Sequence, residues 1–323
     1  MTSEFTNFLE LYKELGLTPE KHNLWVVHHD CNISPEYFVD KIEKSPTHTK
    51  HFLLYQEYGL HNLLKKYNNV YLWESTVYPT TSRHFTYLWW FDEVVRVSNA
   101  LGLHRKLLNN LDKTPEYKFD VLLGRNKNNR HVIYNFLVNS NLIKSSIYNL
   151  YNDEGSLLQQ WLYGSDYEIL FPNSDYPQSI YKDKSWAPAP VFLPVDIYNN
   201  TWYSIVSETN PTIPFFTEKT AKPLLAKRIF VTFGAQHQLK KLKELGFLTF
   251  DRVIDESYDD EPNLDKRWQM AFQQLENLNE MDPYKVYEIV DEIVTHNQNK
   301  MLHFSWDERM RTEIKTIVNL EET

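Results

Sequence analysis

The chain has 323 residues, 42% of them apolar and 15% aromatic, with a formal net charge of −9. That is enough for one large or two medium cores, and too acidic for a general polyanion coat. No apolar run approaches the ~18 residues of a membrane span, MTSEFTNFLE lacks the regions of a secretion signal, and Cys31 has no internal partner, so a reducing, cytoplasmic setting is expected.

The first third alternates short apolar strands with helical segments. NLWVVHHD (23–30) reads as a strand ending in polar residues. SPEYFVDKIEK (34–44) reads as a helix with Ser34 at the N-cap and Pro35 in the first helical position. HFLLYQ (51–56), GLHNLLKKY (59–67) and VYLWES (70–75) continue as strand, helix and strand, a rhythm that predicts a parallel, helix-flanked sheet. Residues 85–111 read as mostly helical, with a stripe of Leu88, Phe91, Val94, Val95 and Leu101. Tyr87, Trp89, Trp90 and Phe91 are expected in the core, with an acceptor-stacking platform as the alternative.

NNLDKTPEY (109–117) breaks the periodicity, and a domain boundary is expected there, dividing the chain into 1–112 and 113–323. KFDVLLG (118–124), SSIYNLY (145–151), TWYSIVSE (201–208) and RIFVTFG (228–234) read as strands. Segments 125–141, 217–227 and 236–245 read as helices, residues 164–195 with five prolines as a long ordered loop, and 264–278, 283–299 and 305–320 as closing helices. The predicted class is α/β: two Rossmann-like domains facing a cleft, with C-terminal helices. In such sheets ligands sit beyond the carboxyl ends of the strands, which selects His28–Asp30, Glu74–Ser75, Gly124–Arg130, Glu208–Thr209 and Gly234–His237.

Charge is unevenly spread. Residues 217–243 hold seven Lys or Arg against one acid, whereas 244–323 hold 19 acids against eight bases. A basic island in an acidic chain suggests a local anionic ligand, although Lys240, Lys241 and Lys243 read better as a solvated helix face. There is no G-x-G, no G-K-[ST], no H-E-x-x-H and no D-x-D. Cationic side chains and helix amides are therefore expected to neutralise any phosphate, with no metal site.

Two segments carry that chemistry. In LLGRNKNNRH (122–131) a strand ends at Gly124, and Arg125, Lys127 and Arg130 follow at a helix start, where amides and dipole favour an anion. In TEKTAKPLLAKR (217–228) Thr217 is a good N-cap, and Glu218 and Lys222 share a helix face. A glutamate there is able to hold ribose hydroxyls while a lysine meets a diphosphate. Pro223 either interrupts this helix, if it starts at Thr217, or lies in its first turn, if it starts at Lys222.

The pattern S-E-(x)n-T-E-K-T-x-K-P, followed by a short helix, a strand and a glycine, resembles the donor-binding region of GT-B-type glycosyltransferases. It is most similar to fucosyltransferase-like and phage or bacterial glycosyltransferase-like proteins. LKELGFLTFDRVIDESYDDEPNLDKRWQ (242–269) resembles that group's L-x-x-L-G-F-x-T-F-D-x-x-I-D-E-S-Y-D segment, and LLGRNKNNRH its L-N-x-R-x-x-x-H-R segment with the Asn and Arg positions shifted. The likeness spans roughly 118–270. It implies a nucleoside diphosphate sugar donor, UDP or GDP, with Glu218 near the ribose, Lys219, Arg125 and Lys222 near the diphosphate, and no metal requirement. Glu208 matches the group's acidic strand end, and Asp255, Glu256 and Tyr258 match a late motif expected to be structural.

Transfer to a hydroxyl needs a proton acceptor. His28 and Asp30, which alternation places on one side of their strand, are candidates, and so is Glu74. Acceptors compatible with the resemblance are hydroxymethylated cytosine in phage DNA, which Lys65, Lys66, Arg83, Arg96, Arg105 and Lys106 would have to track, and a surface glycan. A non-catalytic nucleotide-binding scaffold is the alternative.

Overall fold

The structure is a computed structural model; it describes residues 12–18, 20–27, 34–55, 59–76, 83–124, 127–150 and 191–319. The chain divides into two compact units, Met1–Asp92 with Ser305–Thr323, and Glu93–Phe304.

In the first unit β1 (His22–Val27), α1 (Pro35–Lys44), β2 (Lys50–Tyr55), α2 (His61–Leu64), β3 (Val70–Glu74) and β4 (His84–Thr86) follow one another. The strands are all parallel, in the order β1-β2-β3-β4. Helix α1 starts as its sequence dictates, with Pro35 in the first turn and Ser34 extended at the cap, though the Ser34 side chain makes no cap hydrogen bond. Phe38 and Ile42, four apart, fall on one face of α1 and pack with Leu53, Leu60, Leu64 and Leu72. Each such side chain stabilises the unit by about 1.5–3 kcal/mol, and Phe38→Ala would remove about 3–5 kcal/mol.

The segment expected to be helical from residue 85 opens instead with β4, whose Leu72↔His84 and Glu74↔Thr86 pairing extends the sheet. Three residues are too few to show a strand period, so the pairing partner decides. Helix α3 (Trp89–Leu101) follows, with Leu88, Phe91, Val94 and Val97 buried. Tyr87 and Trp90 are also buried, as core packing requires.

The second unit holds β5 (Tyr117–Gly124), α4 (Asn128–Asn139), β6 (Ser146–Leu150), α5 (Val195–Asn199), β7 (Thr201–Ser207), α6 (Glu218–Leu225), β8 (Ile229–Phe233), α7 (Gln238–Glu244), α8 (Leu264–Glu280) and α9 (Pro283–His303). The expected boundary at 112/113 differs from the changeover at Asp92/Glu93, and the segment taken for a break is built into this unit. Asn110 Nδ2 donates to the Lys227 carbonyl at 2.8 Å, and buried Lys113 Nζ donates to the carbonyls of Tyr198 and Thr201 at 3.2 and 2.9 Å. Most of the expected loop 164–195 lies outside the described residues. Helix α10 (Trp306–Asn319) belongs to the first unit, where the Asp92 carboxylate accepts from the Trp306 and Asp307 amides at 3.0 and 2.7 Å.

The second sheet is also fully parallel, in the order β6-β5-β7-β8. The chain leaves β5 toward β6 on one side and returns to β7 on the other, so the strand order reverses between β5 and β7. That reversal is the place where an open parallel sheet offers a crevice. Among the described residues the first sheet has no reversal, so the Rossmann-like expectation holds there only as a parallel α/β sheet.

Buried charge braces the opposite, amino-terminal side of β7. Arg228 lies between Asp120 and the start of β7, with Nη2 2.7 Å from Asp120 Oδ2 and 2.7 Å from Thr201 Oγ1, and Nη1 2.9 Å from the Tyr198 carbonyl. Ser204 Oγ donates to the same carboxylate oxygen at 2.7 Å.

Candidate functional site

Of the strand ends picked from the sequence, the order reversal favours Gly124–Arg130 after β5 and Glu208–Thr209 after β7. Gly124 takes φ +64°, a left-handed conformation that favours glycine, and its amide donates to Asn149 Oδ1 at 3.0 Å. A Cβ on Gly124 would sit 3.8 Å from Arg130 Nη1. The guanidinium from the first turn of α4 thus lies over the end of β5, largely buried. Arg125, His28, Asp30 and Cys31 lie outside the described residues.

Beyond β7 the chain turns and enters α6 at Glu218, with Thr217 as N-cap, its hydroxyl accepting from the Lys219 amide at 3.3 Å. The helix therefore starts before Pro223, which has no N–H to give the Lys219 carbonyl. At the other end Lys227 takes φ +53° and the Arg228 amide donates to the Pro223 carbonyl at 2.9 Å, a Schellman-type stop made without glycine. Gln298 of α9 donates to the Leu225 carbonyl at 2.8 Å.

Four charged groups meet around the first turn. Glu208 is fully buried, and both its oxygens are taken. Oε1 accepts from the Thr217 amide at 3.2 Å and from the Thr220 hydroxyl. Oε2 accepts from the Thr217 hydroxyl at 2.7 Å and the Thr209 amide at 3.3 Å. Lys219 Nζ lies 2.5 Å from Glu218 Oε1, and within 3.4 and 3.5 Å of the Thr217 and Thr209 hydroxyls. Lys222 is buried one turn on, within electrostatic reach of Glu218 and Asp120.

The acid–base balance follows from these neighbours. Burial pushes the Glu208 carboxyl up, against Lys219 and the threonine hydroxyls. Burial also works to raise Glu218, but Lys219 and Lys222 outweigh it and hold that carboxyl below its usual range. Lys222 is lowered to about 8 by burial, with Glu218 holding it up. Glu218 is thus kept as an anion able to accept from hydroxyl groups, beside an ammonium that retains some exposure.

The other expected residues go elsewhere. Glu74 ends β3, buried, accepting from the Leu60 amide at 3.2 Å and the Thr76 hydroxyl at 3.0 Å. After β8 the late motif ties down the start of α7: Asp259 accepts from the Leu239 and Lys240 amides at 2.9 Å each, and the His237 amide donates to its carbonyl. Glu256 accepts from Thr249 and from the Phe250 amide at 2.7 Å each, Asp255 accepts from the Ser257 amide at 3.0 Å, and Tyr258 is buried. The basic island divides. Lys241 pairs with Glu244, Lys243 with Asp251 and Glu256, Arg228 with Asp120, and Lys227 donates to the Thr295 hydroxyl at 3.1 Å, whereas Lys219 and Lys222 lie with Glu218 in the first two turns of α6. Arg96, counted toward a nucleic-acid track, donates through Nε and Nη2 to the two carboxylate oxygens of Glu93 at 3.0 and 2.6 Å. Thr209 is marked in the sequence only as the neighbour of Glu208 at a strand end, and Thr220 is not marked at all, because its bond to Glu208 is a tertiary contact.

Among the described residues no group of three or more His, Cys, Asp or Glu is placed to hold a metal ion, and no helix is long and apolar enough to cross a membrane.

No protein-family model matches the sequence, and no curated protein matches it. Among solved structures, the crystal structure of an alpha1,3-fucosyltransferase is similar at 11% identity with a TM-score of 0.36, over 76% of this chain and 74% of that chain. The likeness is distant.

Proposed function

We propose that the protein is a GT-B-type glycosyltransferase. It takes a sugar from a nucleoside diphosphate, UDP or GDP, and passes it to a hydroxyl acceptor without a metal ion. The observation that carries this reading is the placement of complementary groups after the two adjacent strands, β5 and β7, between which the order of the second sheet reverses. Arg130 covers the end of β5, and the next strand leads to an anionic Glu218 beside Lys219 at the start of α6. Adjacent strands lie about 4.8 Å apart, so one nucleotide is long enough to reach both ends. Glu218 would accept from the ribose hydroxyls. Lys219 and Arg130, with Arg125, would hold the diphosphate, Arg through paired hydrogen bonds. The Thr217 hydroxyl orients Lys219, and Lys222 keeps Glu218 ionised. The developing negative charge on the leaving diphosphate would then be met by fixed cations.

Glu74 is buried and holds two donors, so the role of accepting the acceptor's proton is assigned to His28 or Asp30. Hydroxymethylated cytosine in phage DNA and a surface glycan are the two acceptors to test. Thermal-shift measurements with UDP, GDP and their sugars should stabilise the protein, and stabilisation by none of them overturns the reading. Sugar transfer to modified duplex, plain duplex and glycan then identifies the acceptor. The commitment of Glu74 to structure also favours a second reading, a nucleotide-binding scaffold without catalysis. Slow hydrolysis of the donor sugar would contradict that alternative.

A further inference from the structure

We infer that Glu208 and Thr220 are positioning residues: they form a buried bracket that fixes the first turn of α6, so that Glu218 and Lys219 engage one nucleoside diphosphate together. The inference rests on the glycosyltransferase reading above and deepens it.

Glu208 has no exposed surface, and its four hydrogen bonds come from Thr209, Thr217 and Thr220. It therefore has no capacity left for a ligand. Its partners, however, flank the two residues that do. Thr217 precedes Glu218, Thr220 follows Lys219, and both hydroxyls point into the same carboxylate. A helical first turn has free amides and frays easily. Tying it at both edges to the end of β7 fixes the Glu218 carboxylate and Lys219 ammonium relative to the sheet. The Thr217 hydroxyl is shared between the bracket and Lys219, since it donates to Glu208 and lies 3.4 Å from Lys219 Nζ. A carboxylate suits this place because it accepts at every lone pair. A glutamine would turn a donor toward the Thr209 amide.

A bracket of this kind acts on ligands that need both groups. A nucleoside diphosphate spans Glu218 and Lys219, whereas inorganic pyrophosphate needs only the cation. Loss of the bracket should therefore weaken the first far more than the second. General loosening of the fold should weaken both alike.

The test is calorimetric titration of UDP, GDP and inorganic pyrophosphate into wild type, Thr220→Val, Thr220→Ser and Glu208→Gln, at a temperature where circular dichroism shows all four folded. Thr220→Val keeps shape and loses the hydroxyl, and should weaken the preferred nucleoside diphosphate about tenfold, the scale of one buried hydrogen bond. Its effect on pyrophosphate should stay under about threefold. Thr220→Ser should restore binding, and Glu208→Gln should act in the same direction as Thr220→Val. Unchanged nucleotide affinity in Thr220→Val overturns the inference and leaves the glycosyltransferase reading standing. Equal weakening of nucleotide and pyrophosphate overturns it as well. Absence of nucleotide binding by the wild type overturns both.

Discussion

Replacing Asp120 with alanine should be among the most damaging single changes in the second unit. The carboxylate and the Arg228 guanidinium are 3% and 1% exposed. Without Asp120 the guanidinium keeps its bonds to the Tyr198 and Thr201 carbonyls but loses its counter-charge, and Lys113 reaches the same two carbonyls. Breaking one side of a buried pair costs about 3–5 kcal/mol. For a unit of this size each kcal/mol shifts the midpoint about 2–4 °C, so the expected fall is roughly 6–20 °C. Urea unfolding followed by tryptophan fluorescence measures the loss. The double variant Asp120→Ala/Arg228→Met should be less damaged than the sum of the two single changes, because the stranded charge is gone. A Asp120→Ala protein within about 1 kcal/mol of wild type, or strictly additive single effects, would refute the argument that this is a coupled buried pair.

Lys113 is lowered to about 6, chiefly by burial, with Arg228 adding to it. The unfolded chain keeps that proton until about pH 10.4, so this residue makes stability rise with pH from about 6 upward; Lys113→Met should remove that slope in a series of urea titrations. Asp92 is raised to about 6, mainly by burial, against the donors of α10. Between about pH 4 and 6 the folded state holds a proton that the unfolded state has lost, so this group makes stability fall as pH rises through that window. Asp92→Asn should flatten it, and an unaltered slope would mean that the carboxyl titrates normally. Thr217→Ala removes the cap of α6 and one donor to Glu208, and should cost about 1–2 kcal/mol in urea unfolding.

Much of this arrangement is legible in the sequence, and the exceptions share a cause. Strands with continuous apolar runs, such as FLL in β2, and helices with explicit starts, such as Pro35 in α1 or Asp282-Pro283 before α9, declare themselves locally. Thr217 as the cap of α6 was readable for the same reason. Strand β4 was not, because three residues carry no period and only the edge of β3 defines it. The strand order of the second sheet, which singles out two strand ends, is a non-local property. Arg228 looks like one more cation in a basic stretch, yet its partner is Asp120, 108 residues earlier. Glu208 was legible as an acidic strand end, but its commitment to three threonines appears only once α6 is laid beside β7.

The most direct test of the account is calorimetric titration of UDP and GDP into the wild-type protein and Lys219→Ala. Lys219 lies beside Glu218 at the first turn of α6, and losing one charge-assisted contact to a phosphate should weaken binding about tenfold or more. The account predicts saturable binding of one of the two nucleotides by the wild type and that loss in the variant. No binding of either nucleotide, or equal affinity in the two proteins, would contradict it.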